Sequence, residues 1–162
     1  MPYLLDSNVF IQAKNFHYGF DFCPAFWIWI DVNNESDTVF SIERVKTELV
    51  GYGDELSNWA TVRSDRFFLP PDGQIVPSLA QVSTWARDGG FDAGAVNQFL
   101  QDADYYLVAH AHAHGYTVVT HEIPSNSMRR IKIPNACIGN GVPCMSPYEM
   151  LRTERARFVL GP

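Results

Sequence analysis

Positive charge and cysteine are both scarce in this sequence. The 162 residues include 12 Lys and Arg against 18 Asp and Glu, which gives a formal net charge of −6. Because general binding of nucleic acid relies on basic side chains that neutralise phosphates, this balance argues against a DNA-coating role. The three cysteines, Cys23, Cys137 and Cys144, are an odd number without the spacing of metal ligands. We therefore predict reduced core thiols rather than a disulfide framework or a zinc site.

Long apolar runs and several known binding loops are also missing. The longest apolar run, residues 25–30, is far shorter than the roughly 20 residues that span a bilayer. The residues after Met1 lack the basic region and apolar stretch of a secretory signal, so we expect a cytoplasmic protein without membrane contact. No Rossmann-type or Walker A glycine loop occurs, which argues against those nucleotide sites. The absence of a G-x-S-x-G elbow argues against a serine-hydrolase triad.

The residues that are present suit one compact domain. Hydrophobic residues make up 46% of the chain and aromatic residues 14%, enough for a substantial core at this length. Short apolar runs alternate with helical patterns, which predicts a mainly parallel sheet. We therefore expect residues 1–162 to form a single three-layer α/β/α domain with a roughly five-stranded sheet. The predicted strands are 3–5, 38–41, 66–69, 117–120 and a fifth within 132–138. The predicted helices are 24–32, 42–49, 54–62, 76–86, 92–100, 103–114 and 147–155.

Four acidic residues occupy positions that this fold would bring together. Asp6 directly follows the first strand and Glu122 closely follows the fourth. If these strands are neighbours where the strand order reverses, both acids face one crevice at the carboxyl edge of the sheet. Asp104 continues the apolar stripe of helix 103–114, so it should point toward the sheet. Glu48 borders the apolar stripe of the helix after the second strand.

Grouped carboxylates have a specific chemical meaning. Like charges within about 4–6 Å disfavour joint ionisation unless a cation lies among them. A pocket of oxygen ligands suits Mg²⁺ or Mn²⁺ rather than Zn²⁺, and such an ion can activate water against a phosphodiester. Each acid taken alone has a simpler interpretation: Asp6 as a helix cap and Glu48 as a solvated side chain. Asp102 we assign to a structural role, as the N-cap of helix 103–114.

The sequence around these acids resembles the PIN-domain family, small α/β nucleases that include ribonuclease toxins of bacterial and archaeal toxin–antitoxin pairs. The similarity covers nearly the whole chain in order and length. Four segments carry it, each containing one of the acids: Leu4-Leu5-Asp6-Ser7-Asn8-Val9, Val45-Lys46-Thr47-Glu48-Leu49, the stretch from Asp104 to Ala111, and the stretch from His114 to Glu122. The spacing from Asp104 to Thr120 and Glu122 is the most specific part.

The resemblance implies an Mg²⁺- or Mn²⁺-dependent endoribonuclease, often a homodimer and often neutralised by a small antitoxin protein. In that family pattern Asp6, Glu48, Asp104 and Glu122 hold the metal, while Asn8 and Thr120 position water or the carboxylates. The family's last motif usually ends in Asp, whereas this chain has Glu122, one methylene longer. The aromatic segment 16–29 and the stretch 132–151 also differ from the usual pattern and suggest a less characterised branch.

Two other functions remain open at this stage. One is a catalytically inactive PIN-like module that binds RNA or a protein partner. The other is a metal-dependent phosphatase on a similar sheet, which would need a nucleophilic Asp followed by an acid two residues later. Position 8 is Asn, which weakens the phosphatase hypothesis.

Three further groups of residues have two interpretations each. His110 and His114 share a helix face, but without a third ligand we predict solvent-facing histidines rather than a zinc site. The basic cluster Arg129, Arg130 and Lys132 fits a solvated loop or a clamp for the RNA backbone beside the acids. The aromatic residues in and just before helix 24–32 fit core or dimer contacts better than base stacking; they are Phe22, Phe26, Trp27 and Trp29.

Overall fold

A computed structural model, which describes residues 1–161, shows a parallel five-stranded sheet with helices on both faces. The strand order is β3-β2-β1-β4-β5, and every neighbouring pair is parallel. The order reverses at β1, which lies between β2 and β4. The predicted fold class, a three-layer α/β domain with a mainly parallel sheet, is therefore confirmed. The strands are β1 Tyr3–Leu5, β2 Val39–Ile42, β3 Phe68–Leu69, β4 Thr117–Val119 and β5 Cys144–Met145.

Each predicted helix is present, with small shifts at the ends, and two further helices, Ser7–Gln12 and Ile133–Gly139, are found within residues 1–161. The helices are α1 Ser7–Gln12, α2 Pro24–Glu35, α3 Glu43–Gly51, α4 Glu55–Thr61, α5 Ile75–Asp88, α6 Ala93–Gln101, α7 Ala103–His114, α8 Ile133–Gly139 and α9 Pro147–Thr153. A π-helical turn, Ala13–His17, continues α1. None of the helices in residues 1–161 has the length and apolar character needed to cross a membrane.

The prediction of the fifth strand was wrong. Residues 132–138 were expected to hold it, but Ile133–Gly139 is the helix α8, and the strand is Cys144–Met145. Pro134 lies in the first turn of α8, where proline costs no backbone hydrogen bond. Ile133, Ala136 and Cys137 are fully buried, at the three- and four-residue spacing of a helix face. A two-residue strand carries too little pattern to be recognised by alternation.

The core lies on both faces of the sheet and is rich in aromatic rings. Leu4 and Leu5 of β1 are completely buried, as expected for a central parallel strand. Phe26 and Trp27 are buried, whereas Phe22 is 66% exposed, so only part of the aromatic segment serves the core. The Trp27 and Trp59 rings pack edge to face with centroids 5.0 Å apart, a favourable aromatic geometry.

The histidines of α7 do not all face solvent. His110 is only 4% exposed, and its ring lies 4.8 Å from that of His114. The prediction of a solvent-facing pair was therefore wrong for His110, because α7 is covered by its neighbours on this side as well. Burial, with a smaller contribution from the charge of His114, lowers the pKa of His110 to about 4.

The buried His110 predicts acid destabilisation. The unfolded chain takes up this proton near pH 6.5 but the folded chain only near pH 4, so His110 makes stability fall as the pH drops through that window. Replacing His110 with Gln should remove this slope, and the expected change is on the order of 2 kcal/mol. The measurement is the difference in unfolding free energy between wild type and His110→Gln from pH 7 to 4. A pH-independent difference would contradict the neutral buried state.

Candidate active site at the carboxyl edge of the sheet

The pairing of β1 with β4 places Asp6 beside Thr120. Leu5 and Val119 are register partners, so the next residue of each strand lies at the same edge of the sheet. The Asp6 carboxylate accepts hydrogen bonds from the Ser7 backbone N–H at 2.7 Å and from the Thr120 hydroxyl at 2.9 Å. Asp6 is thus the N-cap residue of α1 and also a buried acid, 4% exposed, at the strand-order reversal.

Thr120 and Asn8 fix the geometry around this carboxylate. The Thr120 hydroxyl oxygen accepts hydrogen bonds from Asn8 Nδ2 at 3.2 Å and from the Glu122 N–H at 3.1 Å, besides donating to Asp6. Asn8 Oδ1 in turn accepts from the His121 N–H at 3.1 Å. Two segments of the chain, residues 6–8 and 120–122, are therefore held together at this edge by two polar side chains.

Asp104 comes to the same place from the first turn of α7. Its helix neighbours Leu107 and Val108 are completely buried against the sheet, while Asp104 itself is half-buried. Burial raises the pKa of Asp104 to about 8, and the negative charges of Asp6 and Glu122 add to the rise. Burial likewise raises the pKa of Asp6 to about 7, against the Thr120 hydrogen bond, which lowers it. The charge of Asp6 therefore acts on Asp104, which places the two residues in one electrostatic cluster.

Glu48 joins this group from α3 and is the most open of the four predicted acids. The residue as a whole is exposed, yet burial raises the pKa of its carboxyl, a Ser7 hydrogen bond lowers it and the charge of Asp102 raises it. The charge of Glu48 also contributes to the raised pKa values of both Asp6 and Asp104. Glu48 therefore belongs to the same electrostatic cluster.

Glu122 is also in this cluster, but its oxygens already have partners. One oxygen accepts a hydrogen bond from the Ile133 N–H at 2.8 Å, and the other faces Arg130 Nη2 at 3.3 Å. The Ile133 N–H is an amide of the first turn of α8, where such donors lack partners within the helix. Glu122 thus ties the loop after β4 to α8.

Asp102 is closer to the acids than its predicted structural role required. It occupies the N-cap position of α7, but its side chain makes no capping hydrogen bond. Asp102 Oδ1 accepts instead from Gln98 Nε2 at 2.8 Å, and its charge raises the pKa of both Asp104 and Glu48. Asp102 therefore has the predicted N-cap position but does not make the capping hydrogen bond expected there. Its position two residues before Asp104 was the only signal in the sequence.

The basic cluster lies beside these acids. Arg129 and Arg130 are exposed and, together with Asp102 and Asp104, line a small cavity of about 190 Å³. Arg130 is paired with Glu122, while its side chain remains 64% exposed. Cationic side chains therefore border the acidic cluster on the side of the loop after β4.

The donor set fits a divalent cation bound mainly by Asp6 and Asp104. Within residues 1–161, no group of three or more His, Cys, Asp or Glu side chains is arranged to hold a metal ion. Mg²⁺ does not require such a group, because it keeps several waters and binds through one or two carboxylates together with substrate phosphates. Two buried carboxylates whose charges repel each other are the feature that a divalent ion would relieve.

Because both oxygens of Glu122 already have partners, we expect its replacement to have a smaller effect on activity than replacement of Asp104. Glu122→Gln keeps an oxygen for the Ile133 N–H but removes the charge, so the fold should be retained. We expect RNA cleavage to fall by about 10- to 100-fold, the usual effect of changing a supporting group at a metal site. The check is kcat/KM together with the melting temperature of the variant. A loss as large as that of Asp104→Asn would show that Glu122 acts as a direct ligand.

Solved structures share this architecture. One is VapBC2 from Rickettsia felis, bound to a DNA fragment from its promoter. The matching chain has a TM-score of 0.55 and 18% identity, with 90% of this chain and 98% of that chain covered. FitAcB from Neisseria gonorrhoeae gives a TM-score of 0.52 and 19% identity over 90% and 98% of the two chains. FitAB bound to an IR36 DNA fragment gives a TM-score of 0.55 and 18% identity, with 90% of this chain and 95% of that chain covered.

These solved structures are similar to the chain at identities of 18–19% and TM-scores of 0.52–0.55. At such low identity the similarity shows the fold alone, namely a three-layer α/β domain with a parallel five-stranded sheet. Residues 3–158 match the family described as "Domain of unknown function (DUF4411)", and the chain belongs to that family. None of the curated protein sequences matches the chain significantly.

Proposed function

We propose that this protein is a metal-dependent endoribonuclease whose centre is formed by Asp6 and Asp104, with Glu48 and Glu122 completing the acidic group. The observation that carries the proposal is the grouping of Asp6, from the end of β1, with Asp104, from the first turn of α7. The charge of Asp6 raises the pKa of Asp104, and the charges of Glu48 and Glu122 raise the pKa of both aspartates. Such an arrangement has a cost for folding, and buried strained charges of this kind concentrate at functional sites.

The side chains divide the work of the proposed reaction. Asp6 and Asp104 would hold Mg²⁺ or Mn²⁺, with Glu48 and Glu122 as supporting charges beside the ion. When bound, the ion would supply an acidified water and charge stabilisation at a phosphodiester. Thr120 holds the Asp6 carboxylate in place, and Asn8 holds Thr120 and the strand end. Arg129, Arg130 and Lys132 would contact phosphates of the RNA backbone, a positioning role that carries no sequence information.

The proposed biological role is that of a toxin in a toxin–antitoxin pair acting on cytoplasmic RNA. Support comes from the fold shared with VapBC2 and FitAB, each of which was solved bound to a DNA fragment. A small antitoxin protein and a second copy of this chain are the partners that we propose on that basis. A short adjacent gene for a DNA-binding protein would support the pairing.

A catalytically inactive PIN-like binding module is the second candidate. The hydrogen bonds of Glu122 to Ile133 and Arg130 favour it, because they occupy an acid that the nuclease hypothesis assigns to the metal. An inactive module would still bind RNA or a protein partner at the same edge of the sheet.

Cleavage of a generic labelled RNA separates the two candidates. Wild type should cut the RNA with Mn²⁺ or Mg²⁺ and not with EDTA, and Asp6→Asn should lose this activity while remaining folded. Asp65→Asn is the matched control. Asp65 is exposed and lies before the amino end of β3, whereas the acidic site is at the carboxyl ends of the strands. Cleavage that is indifferent to EDTA and to Asp6→Asn would overturn the nuclease proposal.

A further inference from the structure

A second cavity begins where the acidic site ends. It has a volume of about 490 Å³, within the range of roughly 300–1,000 Å³ that is typical of ligand pockets. Thr120 and Glu122 of the acidic site are among its lining residues, together with Ile123, Ile138 and Tyr148. We call it the lateral cavity. Thr120, which lines this cavity, also donates a hydrogen bond to Asp6 of the proposed centre. The cavity is therefore adjacent to that centre.

The walls of the lateral cavity are apolar, and one of them is a fixed aromatic ring. Ile123 is 76% exposed and Ile138 is 71% exposed, which is unusual for two large aliphatic side chains at one opening. The Tyr148 ring is held by a 2.8 Å hydrogen bond between its hydroxyl and His17 Nε2. The His121 and Tyr148 rings meet edge to face with centroids 5.6 Å apart. A flat ligand would meet a preformed surface here.

Several polar groups of this cavity are already hydrogen-bonded within the protein. Ser146 Oγ accepts from the Glu149 N–H at 3.2 Å, and Glu149 Oε2 accepts from the Ser146 N–H at 2.7 Å, which together form the capping box of α9. The Tyr148 hydroxyl is bonded to His17. Sequence readout needs side chains that are available to hydrogen-bond base edges. The lateral cavity therefore suits stacking on a base face rather than recognition of one base.

We propose that the lateral cavity holds the base of a nucleotide next to the scissile phosphate, stacked on the Tyr148 ring beside His121 without selection of base identity. This subsite rests on the proposed function, in that RNA is the ligand whose phosphate occupies the acidic centre. It also meets a need of this chain: a protein with net charge −6 has little general attraction for RNA. Stacking on aromatic rings supplies affinity that tolerates any sequence.

Binding of labelled single-stranded RNA to Asp104→Asn protein with Mg²⁺ tests the subsite without consuming the probe. In this background, Tyr148→Ala should weaken the Kd for oligoadenylate and oligocytidylate alike by about tenfold, the effect expected from losing one stacked base. Tyr148→Phe, which keeps the ring, should bind nearly as the parent does. Ile138→Ala should weaken binding, whereas Ile28→Ala, a matched exposed position on α2, should not.

An oligomer of abasic ribose phosphates separates base contacts from backbone contacts. The subsite predicts that Tyr148→Ala leaves the Kd of this oligomer unchanged. An equal loss for abasic and base-bearing oligomers, no loss for either, or no measurable binding of RNA by the parent would overturn it and leave the cavity to a protein partner. Failure of the subsite can be distinguished from failure of the nuclease proposal. If cleavage depends on the carboxylates but Tyr148→Ala leaves KM unchanged, only the subsite is refuted. If the protein binds RNA through its bases but cuts no RNA, only the nuclease proposal is refuted.

Discussion

Asp104→Asn is expected to abolish RNA cleavage and at the same time to stabilise the metal-free protein. The amide has nearly the shape of the carboxylate but no charge, so it loses the ability to bind a cation and also removes repulsion by Asp6 and Glu122. Because burial and these charges raise the pKa of Asp104 to about 8, ionising it at pH 8 costs folding free energy. We expect a gain on the order of 2 kcal/mol in unfolding free energy at this pH.

The activity change should be far larger than the stability change. Removal of a direct ligand at the centre should lower kcat/KM by roughly a thousandfold or more, about 4 kcal/mol of transition-state stabilisation. Opposite effects on stability and function at one residue are typical of active sites. Asp65→Asn should change neither quantity. A variant that is less stable than wild type at pH 8 without metal would contradict the repulsion inferred for this cluster.

The second large effect is the pH dependence of stability without metal. Unfolded aspartates lose their protons near pH 3.9, whereas the folded pKa values of Asp6 and Asp104 are raised to about 7 and about 8. The folded state therefore binds more protons between these limits, so these two groups make stability fall as pH rises from about 4 to about 8. Protonated carboxyl groups leave the fold most stable at the acidic end of that window, as far as this pair is concerned.

A divalent cation should reverse this loss at the alkaline end. With the ion bound, both carboxylates are charged and paired, so Mn²⁺ should raise the melting temperature of wild type at pH 8 much more than at pH 5. The comparison uses thermal unfolding of wild type and the Asp6→Asn Asp104→Asn double variant with EDTA or Mn²⁺. His110 contributes a slope of opposite sign below pH 6.5 and is common to both proteins, so the difference between them isolates the carboxylates. Equal Mn²⁺ effects on the two proteins would refute the assignment.

The sequence was sufficient to predict the parts of the fold that depend on strong patterns. Helix α7 was predicted at its observed bounds, because an apolar stripe begins after Asp102 and Gly115 ends it in a left-handed conformation, which glycine adopts readily. The adjacency of Asp6 and Thr120 follows from two buried parallel strands on either side of the reversal point. The short strand Cys144–Met145 was missed because two residues show no periodicity.

The candidate site was predictable in its members but not in their contacts. The charges of Glu48 and Glu122 act on both Asp6 and Asp104, although no three of these acids are arranged as metal ligands within residues 1–161. The bond of Glu122 to the Ile133 N–H depended on recognising α8, which had been predicted as a strand. The approach of Asp102 to Asp104 depends on a side-chain rotamer that turns away from the cap, and the lateral cavity depends on packing between α8, β5 and α9. Such features arise from tertiary contacts, which local sequence patterns do not specify.

Calorimetric titration of Mn²⁺ into the metal-free protein tests the central claim most directly, namely that Asp6 and Asp104 form one cation site. At pH 7 in two buffers of different ionisation enthalpy, wild type should bind Mn²⁺ with release of protons, because carboxyl groups with raised pKa values must ionise to accept the ion. Asp104→Asn should bind at least about tenfold more weakly and release fewer protons, while Asp65→Asn should match wild type. Equal affinity and equal proton release in wild type and Asp104→Asn would contradict the claim.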